Sequence, residues 1–285
     1  MGRNREQNTR VRPISVVVIV EGYCDELVLH APLTEAFKAK YGPNTQVLFT
    51  RYCNDPLRER RHGYDNQNYW GGDMTATSGI HPGNINTLLS KCAIQPVIEA
   101  SSGVYLRDVA EVIHIIDTDG AYIPDEQVVL VEPLRRLSHP IYRDNSIETD
   151  APVMLRQRNA NKRGNIAALL NYQRDGLDIM LLHRGQKRQR TVPYSLFYFS
   201  CNLEHITINQ RNVALEKPRL AHEFRSLFSD SLEKFLSFLK NDDAAIKDMS
   251  LEESWELLKE GSNSLKRLTN IGLLFKRLLG DNVFD

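Results

Sequence analysis

Three carboxylates stand where runs of β-forming residues stop. Glu21 follows "ISVVVIV", residues 14–20, and Asp117 ends "EVIHIID", residues 111–117, with Asp119 two positions on and Gly120 after it. In an open α/β sheet, ligands bind beyond the carboxyl ends of the strands. Two parallel strands that both end in acid therefore aim their carboxylates at one crevice. Gathered acids repel one another and resist burial. A hard divalent cation relieves both penalties, and ligation by oxygen alone selects Mg²⁺, Mn²⁺ or Ca²⁺ over zinc.

These acids need a frame. The run 14–20 is continuous and β-branched, as suits a strand buried on both faces. Residues 25–41 read as a helix, kinked or restarted at Pro32, and "TQVLFT", 45–50, as a second strand, so the chain opens as a βαβ unit. Residues 51–82 are polar, lack a period, and read as an insertion or long loop, part of an insertion over 51–100. A helix is expected over 84–100 as far as Pro96, strands over 111–117 and 127–132, and helix over 152–176. The segment 177–183 fits helix or strand, and 194–200 is an aromatic strand. After Asn212 the pattern is helical. Leu220, Phe224, Leu227, Phe228, Leu232, Phe235 and Leu239 fall on one stripe, Ser250 to Glu253 is a capping box, and 265–279 is a further helix.

Composition limits the partners less than local clusters do. Lysine plus arginine total 36 and aspartate plus glutamate 36, so net charge says nothing about nucleic acid. Two clusters are basic. Arg58, Arg60 and Arg61 lie among Tyr52, Tyr64, Tyr69 and Trp70, a mixture suited to stacking on unpaired bases while contacting phosphate. Arg184, Lys187, Arg188 and Arg190 crowd what reads as a single loop. The bland account of each cluster is a solvated face. The 4 cysteines form no C-x-x-C pair and no zinc spacing. No apolar run reaches the length of a membrane span, and the basic start lacks a signal-peptide core. A cytoplasmic protein with reduced thiols is expected.

The segments "VEGYCDE" and "IIDTDG", with "FYFSCNLEHITIN" at 197–209, resemble the TOPRIM domain of topoisomerases, primases and OLD-like nucleases, in particular the RloB-like and PARIS-type group of bacterial phage defence. The resemblance covers residues 13–210 through three short motifs. It implies a Rossmann-like α/β core with a mainly parallel sheet, followed by a helical segment over 211–285. It implies a metal-dependent nuclease, with Glu21, Asp117 and Asp119 carrying Mg²⁺ or Mn²⁺, Glu204 as a fourth catalytic acid, and RNA (tRNA among others) or DNA as substrate. No G-x-x-x-x-G-K-[ST] occurs in the chain, so an ATPase like those paired with such nucleases would be a separate, controlling partner, and a homodimer is a further expectation. Two other readings stay open. "DTDG" also resembles the nucleophile motif of haloacid dehalogenase-type phosphatases, with "NDD" at 241–243 as the only paired acids. The same fold with a degenerate site would serve as a binding module.

Overall fold

The computed structural model describes residues 13–52, 73–131, 137, 139–183, 186–213 and 216–285. Its centre is a parallel sheet in the order β2-β1-β3-β9, made of β1 (Ser15–Val20), β2 (Gln46–Arg51), β3 (Val109–Asp117) and β9 (Tyr194–Phe199). Every residue of β1 is buried, which is why that strand is written in valine and isoleucine without alternation. Register aligns Val17 with Val112 and Asp117 with Phe199.

Helices cover both faces. On one face Val17, Ile19, Val112, Ile116 and Tyr198 pack against α2 (Ile85–Leu89), α3 (Gln95–Ala100) and α4 (Pro152–Asp175). On the other, Val16, Val18, Ile113, Ile115 and Phe199 meet α1 (Tyr23–Tyr41). Pro32 sits inside α1 without ending it. The expected stop at Pro96 also does not occur. A π-type turn, Ser90–Ile94, joins α2 to α3, and Pro96 falls in the first turn of α3, where its missing N–H costs nothing.

The strand expected at 127–132 exists as β4 (Val128–Leu130), but it belongs to a separate small sheet with β5 (Ile141–Tyr142) and β6 (Ile147–Thr149), ordered β4-β6-β5. The ambiguous 177–183 is strand β7 (Leu177–His183). The basic stretch read as a loop is mostly its hairpin partner β8 (Gln186–Val192).

The segment 211–285 does not build a core of its own. The stripe expected to be one helical face is broken into α6 (Lys217–Phe224), a π-type turn at Arg225–Ser229 and α7 (Leu232–Asn241), because Ser231 caps a new helix by accepting from Lys234 N. Phe224, Phe235 and Leu239 are buried while Leu227 and Phe228 are exposed. With α9 (Ile271–Leu279), these helices pack on the α1 face of the sheet, whereas Trp255 and Leu258 of α8 (Leu251–Lys259) pack on the α4 face. Between them the chain closes the free edge of β9. Ser200 N donates to Leu268 O at 2.8 Å and Tyr198 N to Asn270 Oδ1 at 2.8 Å, where an open edge would leave donors unpaired. No helix among the described residues is long and apolar enough to cross a membrane.

Candidate active site

The site lies at the carboxyl edge of the central sheet. Glu21 leaves β1 at the turn into α1, and Asp117 is the last residue of β3. The backbone N–H of Asp117 donates to Glu21 Oε1 at 3.1 Å. Gly22 starts α1 with its N–H bonded to Asp25 Oδ2 at 2.7 Å, so Asp25 serves the helix cap beside the acids.

Asp119 is placed by an unusual turn. Its φ is 50° and that of Gly120 is 66°, two consecutive left-handed residues. A Cβ on Gly120 would come within 2.5 Å of Leu265 Cδ2, so both backbone and space require glycine. The turn is tied to the rest of the chain. Asp119 N donates to Cys201 O at 2.8 Å, and Cys201 N donates to Thr118 Oγ1 at 3.1 Å. Tyr122 N donates to Ser264 Oγ at 3.2 Å.

Lys162, from α4, is fully buried among the acids. Its ammonium lies 2.6 Å from Asp73 Oδ2, 2.8 Å from Asp119 Oδ2 and 3.8 Å from Glu21 Oε1. Tyr142 OH donates to Asp119 Oδ1 at 3.2 Å, and Arg158 donates to Asp119 O at 3.2 Å. Asp73 is itself held, its Oδ1 accepting from Thr75 N at 2.8 Å.

The pleat divides the acids. Glu21 continues the parity of Val17 and Ile19, toward α4 and Lys162. Asp117 shares the parity of Ile113 and Ile115, toward α1 and α5 (Leu203–Ile208). On that side stand Asp25, Glu204 and Lys217, the last 3.0 Å from Glu204 Oε2. Asn202 caps α5 by accepting from His205 N at 2.9 Å, which fixes Glu204 in the first turn.

Charge follows this division. Burial, then Asp73, pushes the Glu21 carboxyl well up, and burial followed by Asp25 and Asp119 does the same to Asp117. Burial, then Glu204, raises Asp25 to about 7. Burial also acts upward on Asp119, but Lys162 and Arg158 outweigh it and hold that carboxyl below the usual range. Burial opposes the Lys162 charge, and Asp119, Asp73 and Glu21 more than restore it.

The three acids named from sequence thus reach one edge of the sheet, yet they do not form a single cage. Among the described residues no group of three or more His, Cys, Asp or Glu side chains is arranged to hold a metal ion. Asp119 has turned to Lys162, while Asp117 faces the other way. The donor set still fits a hard divalent cation in chemistry. It is all oxygen, and Asp117 Oδ1 is buried with no hydrogen-bond partner.

Other expected residues fall elsewhere. Arg58, Arg60, Arg61 and Arg184 lie outside the described residues. Arg190 is a structural brace rather than a free contact. Its Nη1 donates to the carbonyls of Leu106, Arg107 and Val109 at 3.1, 2.7 and 2.8 Å, at the start of β3. That is the opposite end of a nine-residue strand from Asp117, roughly 25 Å away. Lys187 and Arg188 are exposed on β8. His205, read as solvated in the bland account of α5, is instead buried. Asp242 of "NDD" pairs with Arg267 at 2.7 Å and belongs to the helical packing, not to this site.

Asp73, Lys162, Arg158, Tyr142 and Lys217 were not singled out from sequence. One signal was present. The buried stripe of α4 runs Leu155, Asn159, Lys162, Asn165, Ile166, Leu169, with polar residues at core positions. Asn165 accounts for one of them, since its Nδ2 donates to Thr75 O at 2.8 Å and ties the loop of Asp73 to the helix. No protein-family model matches the chain, and neither a curated protein nor a solved structure matches it.

Proposed function

We propose that this chain is a divalent-metal-dependent nuclease of the TOPRIM type, hydrolysing phosphodiester bonds in RNA or DNA. The observation that carries the reading is the meeting of Glu21 and Asp117 at the carboxyl ends of adjacent parallel strands, with the Asp119 turn beside them. Mg²⁺ or Mn²⁺ would be held by Glu21, Asp117 and Asp119. Such an ion, when bound, supplies an activated water and stabilises charge on the leaving oxygen. The chain's own residues prepare the place. Lys162 and Tyr142 fix the Asp119 carboxylate, the Asp117 amide orients Glu21, and the raised Asp117 carboxyl keeps a proton until a cation replaces it. Glu204 adds a fourth acid whose charge Lys217 balances. Lys187 and Arg188 can meet phosphates of a long substrate.

In this reading the protein acts in the cytoplasm as the toxic effector of a phage-defence system, held in check by a separate ATPase and active as a homodimer. A second reading has an observation in its favour. Lys162 already neutralises much of the acid cluster, which suits a binding module that needs no metal.

Purified protein incubated with labelled RNA and DNA in Mg²⁺, Mn²⁺ or EDTA separates the two. Cleavage that needs the metal and disappears in Asp119→Asn supports the nuclease. Binding without cleavage under every condition supports the module. Phosphate release from small monoesters, with an acyl-phosphate on Asp117, would instead favour the phosphatase. Expression alone in growing cells tests the effector role, which requires toxicity or capture of an ATPase.

A further inference from the structure

The two halves of the acid cluster are not equally finished. In the half toward α4, Lys162 supplies the positive charge. It is the only buried lysine among the described residues, and it reaches carboxylates from three separate elements at 2.6, 2.8 and 3.8 Å. The second oxygens there are also engaged. Asp119 Oδ1 accepts from Tyr142, and Asp73 Oδ1 accepts from Thr75 N at 2.8 Å and Ala76 N at 3.2 Å. In the half toward α1 and α5, Asp117, Asp25 and Glu204 share the Lys217 ammonium, which is 3.0 Å from Glu204. There Asp117 Oδ1 stays buried without a partner.

We propose that Lys162 is a built-in cation standing in for one of the two ions that phosphodiester hydrolysis at paired metals would use, so that the chain takes a single divalent ion, at the Asp117 half. The proposal rests on the metal-dependent reading above and specifies it. An ion entering the Lys162 half would have to expel an ammonium from short, charge-assisted bonds in a dry pocket. If the ammonium stayed, the two cations would repel at close range. The Asp117 half carries neither obstacle, and its orphaned oxygen gains a partner when an ion enters. A neutral side chain at position 162 would leave Asp73, Asp119 and Glu21 without their counter-charge, the condition that draws a hard cation.

The test counts ions without using activity. Mn²⁺ is titrated into the full chain in the absence of nucleic acid, and free Mn²⁺ is followed by electron paramagnetic resonance, with circular dichroism to check that each variant is folded. The wild type is expected to bind one ion. Lys162→Arg, which keeps the charge, is expected to bind one, and Lys162→Gln two. Asp117→Asn is expected to weaken the single wild-type ion by about tenfold or more. Two ions on the wild type overturn the proposal and leave the metal reading standing. One ion on folded Lys162→Gln, or unchanged affinity in Asp117→Asn, also overturns it. No ion on the wild type overturns the metal reading and the proposal with it. Should Lys162→Gln fail to fold, the wild-type count and Asp117→Asn still decide.

Discussion

The backbone N–H of Asp117 donates to Glu21 Oε1 across 96 positions of sequence, at 3.1 Å. The bond locks the ends of β1 and β3 together at the edge where the acids collect. Glu21→Gln keeps an acceptor for that N–H, whereas Glu21→Ala leaves it unpaired. We expect both to abolish metal-dependent cleavage, and Glu21→Ala to be the less stable by about 1–2 kcal/mol in urea unfolding.

Asp117→Asn has a pH signature. Its carboxyl is raised in the fold by burial and then by Asp25, so the protonated form is favoured there. The wild type is therefore penalised increasingly as pH climbs above the unfolded value, near 4. The melting temperature of Asp117→Asn minus that of the wild type, measured without metal, should grow between pH 4 and pH 8. A constant difference would show that the Asp117 charge is not strained.

His114 works in the opposite sense. It is buried in β3 with Nδ1 2.8 Å from Tyr194 OH, and burial lowers it to about 4. A base with a lowered folded value contributes stability above the unfolded value, near 6.5, and loses it as pH falls toward 4. The loss should be on the order of 2–3 kcal/mol. His114→Gln, which can still pair with Tyr194, should show a smaller loss over that window in unfolding titrations at pH 7 and pH 4.5.

Gly120→Ala should reach the site through the backbone. It places a side chain at φ 66° and drives Cβ into Leu265. A cost of about 1–3 kcal/mol is expected, together with loss of cleavage, since the same turn aims Asp119. Near-normal activity would mean that the placement of Asp119 tolerates more play than the turn implies.

Ending the chain at Asn209 tests whether 211–285 is separable. Phe224, Phe235, Ile271 and Trp255 lie in the two cores, and the segment closes the edge of β9. The truncated protein should lack cooperative thermal unfolding. A sharp melt near that of the full chain would make the segment an appendage.

The sequence by itself determined the buried strands and the acids at their ends. A run such as "VVVIV" has few alternatives to a two-sided buried strand. A carboxylate directly after it must then lie at the sheet's edge, so Glu21 and Asp117 were legible. Asp119 was legible as a neighbour but not in its direction, because two left-handed residues decide that, and their geometry depends on Leu265, Ser264 and Cys201 from distant parts of the chain. Lys162 and Asp73 are 89 positions apart and meet only because α4 crosses over the sheet edge. A lysine in a polar helix looks solvated until tertiary packing removes its water, and the carboxylates that make its burial tolerable come from three elements no local pattern connects. The same holds for Arg190, whose charge suggested a partner outside the chain until the fold brought three carbonyl oxygens to it.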